Sequence, residues 1–116
     1  MNLLNNSERP TFVTLEANGS TPFFWLRGDA GFNVPTVHNG ENQSLGGGTL
    51  SLKWSSDNGA SSQVYTDTNG NAATVSAVNQ AMPAKLFGWH LCCLTLADAT
   101  DPYISCIEIY GDFRKA

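Results

Sequence analysis

Thr49 to Ser55 alternates strictly, with Leu50, Leu52 and Trp54 apolar and Thr49, Ser51, Lys53 and Ser55 polar between them. A period of two is that of a strand with one buried face and one wet face. Weaker versions of the pattern predict further strands at Thr11 to Glu16, Thr21 to Arg27, Ser62 to Thr66 and Ala73 to Val78. Pro22 cannot donate to a ladder, so it belongs at a strand end or an edge. Leu86 to Leu96 is nearly continuous in apolar character. Gly88 inside that run, and the lack of helix caps, favour a central strand buried on both faces. Tyr103 to Tyr110 alternates again, and Gly111 is expected to stop it.

Turn signals separate these segments. Asn18-Gly19, Asn39-Gly40, Asn58-Gly59 and Asn69-Gly70 each supply the positive-φ pair that tight hairpins of type I′ require. Gly28 to Gly48 is crowded with glycine and Pro35, and is expected to be an extended loop with at most a short strand at Phe32 to His38. The prediction is an all-β chain: a single-domain antiparallel β-sandwich of jelly-roll type with about seven or eight short strands. Residues 1–10 are expected to be an N-terminal arm, 11–111 the sandwich and 112–116 a C-terminal tail. No fixed-period repeat is present, which excludes a solenoid or propeller.

Composition narrows the function classes. The 116 residues suit one domain with its own core. Charged residues are 14%, well below the usual quarter, and the net charge is −4. The basic residues are scattered, with Arg114 and Lys115 the one adjacent pair, which argues against nucleic acid as a partner. No apolar run reaches the ~20 residues that span a bilayer, so no membrane partner is expected. Met1 to Pro10 lacks the basic-then-apolar order of a signal peptide, so none is expected. Cys92, Cys93 and Cys106 are then expected as reduced, buried thiols.

Reaction chemistry finds little footing. His90 and Cys92 lie two apart and share a strand face, but a thiolate or metal centre needs further partners that the spacing does not supply. His38 sits in the glycine-rich stretch. Most carboxylates fall in predicted turns, where Asp serves the backbone, and Asp57, Asp67 and Asp101 lack calcium-loop spacing. Neither an enzyme activity nor a cofactor is predicted. Arg27-Gly28-Asp29 is read as a turn that ends a strand. Two of the three tryptophans fall on the apolar phase of their strands, which predicts core packing.

Two blocks carry a resemblance: Gly47-Gly48-Thr49-Leu50-Ser51-Leu52-Lys53-Trp54-Ser55-Ser56-Asp57-Asn58-Gly59, and Leu94-Thr95-Leu96-Ala97-Asp98-Ala99-Thr100-Asp101-Pro102-Tyr103-Ile104-Ser105. With the strand and turn from Leu15 to Thr21, they resemble small β-sandwich virion proteins of tailed bacteriophages. The resemblance implies a capsid decoration (cement) protein on the outer capsid surface. Such a protein binds the shell as a homotrimer and bridges subunits of the major capsid protein. Other virion positions (head fibre, tail or connector) are the nearest alternative. A carbohydrate-binding module, with a surface glycan as partner and Trp25 or Trp89 exposed, is a second. Contacts are expected from Leu3, Leu4 and Pro10 in the arm, Phe32, Val34 and Val37 in the glycine-rich stretch, and Phe113 and Arg114 in the tail.

Overall fold

The computed structural model describes residues 11–116. Leu3, Leu4 and Pro10 lie outside them. Strands form at β1 (Thr11–Val13), β2 (Gly19–Ser20), β3 (Phe24–Asn33), β4 (Val37–His38), β5 (Glu41–Asn42), β6 (Thr49–Ser55), β7 (Gln63–Val64), β8 (Thr74–Val75), β9 (Met82–Ala97) and β10 (Ile107–Lys115). The main sheet runs β1-β10-β3-β9-β6-β7, with β2 also paired to β9 and β8 to β6. Every pairing is antiparallel. The expected all-β, antiparallel, single-domain sandwich is what the chain forms.

Side-chain phase shows how one sheet makes two layers. Phe24, Leu26, Ala30 and Phe32 of β3 point to the same side as Ala84, Leu86, Cys92, Leu94 and Leu96 of β9 and Leu50 and Leu52 of β6. Ile107 and Ile109 of β10 join them. All are buried, so the sheet curls around its apolar face. The first half of β9 belongs to the β10–β3 layer, and its second half carries β6. Full burial of each Leu, Ile or Phe among them contributes about 1.5–3 kcal/mol.

Two irregularities fall on the central strands. Leu26 pairs with His90 and Gly28 with Leu86, so Phe87, Gly88 and Trp89 together oppose Arg27. On the other edge of β3, Tyr110 pairs with Gly31 and Asp112 with Arg27, so Gly28, Asp29 and Ala30 oppose Gly111. Each bulge adds two residues. An excess of two preserves the alternation, so inward positions stay inward on both sides of it. At Gly111 the backbone has φ +113, and a Cβ there would lie 2.9 Å from the Ala30 Cβ and 3.0 Å from the Arg27 carbonyl oxygen.

These bulges correct three expectations. The strand at Thr21 to Arg27 does not end at Arg27-Gly28-Asp29 but continues through it to Asn33, taking part of the expected loop. Gly111 does not terminate its strand: β10 crosses it and runs to Lys115, so residues 112–115 are sheet rather than tail. The apolar run near the C-terminus is central as expected, but its strand is longer, from Met82 to Ala97, and it is buried on both faces only over Leu91 to Leu94, since the bulge leaves Phe87 and Gly88 exposed. The Asn-Gly signals also divide. Asn39 (φ 52) and Gly40 (φ 81) form the two-residue hairpin between β4 and β5, with both residues left-handed as type I′ requires.

The segment from Pro35 to Gly48 is pinned by one buried amide. Gln43 Nε2 donates to the carbonyls of Pro35 (2.8 Å) and Cys106 (3.1 Å). Its Oε1 accepts from the backbone N–H of Ser105 (2.8 Å) and Cys106 (2.9 Å) and from the Ser105 hydroxyl (3.3 Å). A segment whose one regular element is the short β4–β5 hairpin is held to the main sheet's side at this point, because the side chain completes backbone groups that no ladder reaches.

Candidate functional site

The face of β1–β10–β3–β9 that points away from the core is rich in aromatic residues. Phe87, thrown out by the β9 bulge, is 85% exposed, and Phe12 on β1 is 61% exposed. Trp25 and Trp89 are half-buried on this face. Trp54 packs against the core, from the inward phase of β6. Of the two tryptophans expected in the core, Trp54 accounts for one; the second is not found there, because Trp25 and Trp89 both face outward. An apolar run conceals which of its residues face outward until the partner strands fix the phase.

The bulge also places Trp89 opposite Arg27, and a cluster forms across three strands. The guanidinium carbon of Arg27 lies 4.4 Å from the Trp89 ring centroid, and that of Arg114 on β10 lies 5.0 Å from it. Both fall within cation–π range. Arg27 Nε donates to Asp112 Oδ2 at 3.1 Å, which braces the first guanidinium from the neighbouring strand. At the far end of the face, Asn33 Nδ2 and the Tyr110 hydroxyl both donate to Glu108 Oε1 (3.1 and 2.9 Å). Desolvation, then the bond to Glu108 and its charge, push the Tyr110 phenol upward.

Of the residues expected to make contacts, Arg114 alone joins this cluster. Phe32 and Val34 are 1% and 0% exposed and belong to the core, which corrects their assignment as surface contacts. Phe32 is inward because β3 runs on through the glycines. Val34, just past the end of β3, belongs to the same core. Val37 stands 51% exposed on the β4–β5 hairpin, away from any ladder with the main sheet. Phe113 points to the inner side of β10 and stacks on Phe24 at 5.1 Å. A groove of about 370 Å³ lies beside that stack, lined by Val13, Thr21 and Phe23 among others.

The groups weighed for catalysis are otherwise engaged. His90 Nδ1 lies 3.1 Å from the Gly88 carbonyl, and its ring meets Trp54 edge-on at 5.8 Å. The Cys92 thiol donates to the His90 backbone carbonyl at 3.4 Å, not to its ring. Burial, with the charge of Cys93 second, pushes Cys92 up to about 12. Cys93 and Cys106 are also raised by burial, and all three thiols are free. Asp57 accepts from the hydroxyl of Ser61 (2.6 Å), from that of Ser55 (2.7 Å) and from the Ser61 N–H (2.9 Å), which lowers it to about 2. It ties its own turn together. Among the described residues, no three His, Cys, Asp or Glu side chains gather as a metal site.

A thiol titration checks this arrangement. None of the three cysteines should react with a disulfide reagent at pH 8 in the native protein, and all three should react in guanidinium. A native cysteine that reacts within seconds would contradict the burial described.

The aromatic face, with its paired guanidiniums, is the candidate site. Compared with protein-family models, curated proteins and solved structures, the chain matches none of them.

Proposed function

We propose that the chain is a structural protein of a tailed-phage virion, a capsid decoration protein that docks on the outer shell and bridges major capsid subunits. The observation that carries this reading is the outer face of β1–β10–β3–β9, where Phe87 and Phe12 stand exposed and two half-buried tryptophans lie beside Arg27 and Arg114. A broad sheet face of this composition has the aromatic enrichment of a protein-binding surface. The blocks that carry the resemblance form β6 with its Asp57 turn, and the end of β9 from Leu94 to Ala97 with the segment after it. The working principle is adhesion. Each copy buries apolar area on the assembled shell and stabilises it by mass action, and shell symmetry turns a modest contact into a strong one.

The test is rebinding to particles of the phage that encodes the chain, after the protein has been stripped from them. Wild-type protein should bind to saturation, and cryo-electron microscopy should place it on the exterior. Phe87→Asp should weaken binding by about tenfold to a hundredfold, the worth of one buried aromatic. Localisation inside the head or only in the tail defeats the decoration assignment.

A second reading has its own observation. Trp25 and Trp89 face outward, as a carbohydrate-binding module requires. Binding of a neutral glycan that shifts tryptophan fluorescence, with no binding to particles, would favour it.

A further inference from the structure

We infer that Arg27 and Arg114, gathered at Trp89, form a carboxylate-binding anchor, and that the surface this face docks on is an acidic segment of a partner protein. The inference rests on the docking reading above and names the chemistry of the surface the face meets.

The distribution of charge is the first argument. The chain carries six Lys and Arg and a net charge of −4. Arg27, Arg114 and Lys85 are nevertheless all on the outward side of this one layer. The same side also carries Asp29, Asp112 and Glu108, and Lys85 Nζ lies 3.8 Å from Asp29 Oδ1, so the uncompensated positive charge is local to the Arg27–Arg114 pair at Trp89. Such a patch steers and orients an acidic partner.

Pre-organisation is the second. Two like charges held within 4.4 and 5.0 Å of one ring repel each other, and the π-face of the indole offsets that repulsion. Asp112 neutralises Arg27 through Nε, and among the described residues neither terminal nitrogen of that guanidinium has a hydrogen-bond partner. Among the described residues, no carboxylate pairs with Arg114. The cluster therefore holds one positive charge in excess, on donors whose fork geometry matches a carboxylate. Stacking against the indole restricts both side chains before any partner arrives, which lowers the ordering cost of binding.

The partner class follows from the surroundings. An acidic sugar would use the ring face that the guanidiniums already occupy. An acidic protein segment needs only their edges, and it is wide enough to cover Phe87 as well, which lies two residues along β9 from Trp89.

Poly-L-glutamate serves as the probe, with polygalacturonate and poly-L-lysine beside it, followed by tryptophan fluorescence at low and at physiological salt. Poly-L-glutamate should bind and weaken as salt rises. Arg114→Gln should reduce its affinity about tenfold, the worth of one charge-assisted contact. Arg114→Lys should recover part of it, and Lys53→Gln, on β6, should leave it unchanged. Thermal unfolding of each variant checks that the fold survives. Affinity for poly-L-glutamate that is indifferent to Arg114→Gln overturns the inference. Binding of polygalacturonate alone overturns the partner class and moves the site to an acidic glycan. Binding of neither polyanion overturns the anchor itself, while particle rebinding lost in Phe87→Asp would still support docking by this face.

Discussion

Replacing Gln43 with alanine should lower the stability of the domain by about 4 kcal/mol, measured as a fall in the denaturant midpoint. The side chain makes five hydrogen bonds that tie the Pro35–Gln43 segment to Ser105 and Cys106. Truncation leaves two carbonyls, two amides and a hydroxyl without these partners, in a site where the Cys106 groups are buried. The cost of buried donors and acceptors left unpaired exceeds the net worth of the bonds. Gln43→Glu separates hydrogen bonding from volume. A carboxylate of nearly the same shape still accepts from Ser105 and Cys106 but donates nothing to Pro35 and Cys106. Its charge then faces two carbonyl oxygens in a buried site, so its folded pKa is raised above the unfolded value. The sign follows: stability of this variant is greatest below the unfolded pKa of about 4.3 and is lost as pH rises through the raised folded value. Wild-type protein, with a neutral amide there, should not share that dependence. A Gln43→Glu variant as stable as wild type at neutral pH would show that the amide is not the clasp described.

The second large effect is expected at Gly111. Gly111→Ala should cost about 3 kcal/mol, the sum of a left-handed backbone and a clash with structure that has little room to move. The added Cβ meets Ala30 Cβ at 2.9 Å and the Arg27 carbonyl oxygen at 3.0 Å, both on the strand that β10 pairs with. Relief requires parting β10 from β3 beyond this point. That would release Asp112 from Arg27 and carry Arg114 away from Trp89. Loss of stability and loss of the anchor should therefore appear together, the second read as a change in tryptophan fluorescence. Alanine at Gly40, where nothing lies within 4 Å of the added Cβ, keeps the positive-φ strain without the clash and should cost less.

Comparing these positions with the sequence shows where local pattern suffices. Thr49 to Ser55 announced its strand and its inner face because polarity alternates with the pleat, but the expected wet face is not wet, since Ser51 and Ser55 on the polar side are buried as well. The Asn39-Gly40 hairpin was legible for a similar reason: its backbone demand is local. Gly111 was misread as a stop because the same glycine signal serves a turn and a crowded crossing, and the crowding comes from Ala30, some eighty residues away in sequence. Trp89 was hidden inside an apolar run, where its outward position depends on the two extra residues that β9 places opposite Arg27. Gln43 gave no sign at all. Its role consists of meeting backbone groups from two other segments, and no local pattern encodes that. Of the candidate site, Arg114 was anticipated. Its company was not, because Arg27, Trp89 and Arg114 meet only through the registers of three strands.

The paired excess residues in β3 and β9 have a consequence for how such a chain changes over generations. Phe87 and Asp29 stand on those swellings, at the surface offered to the outside world, while the residues that build the interior keep their places on either side. Letters can be exchanged at these two points to retune what the molecule adheres to, and the hidden half of the message is left unedited.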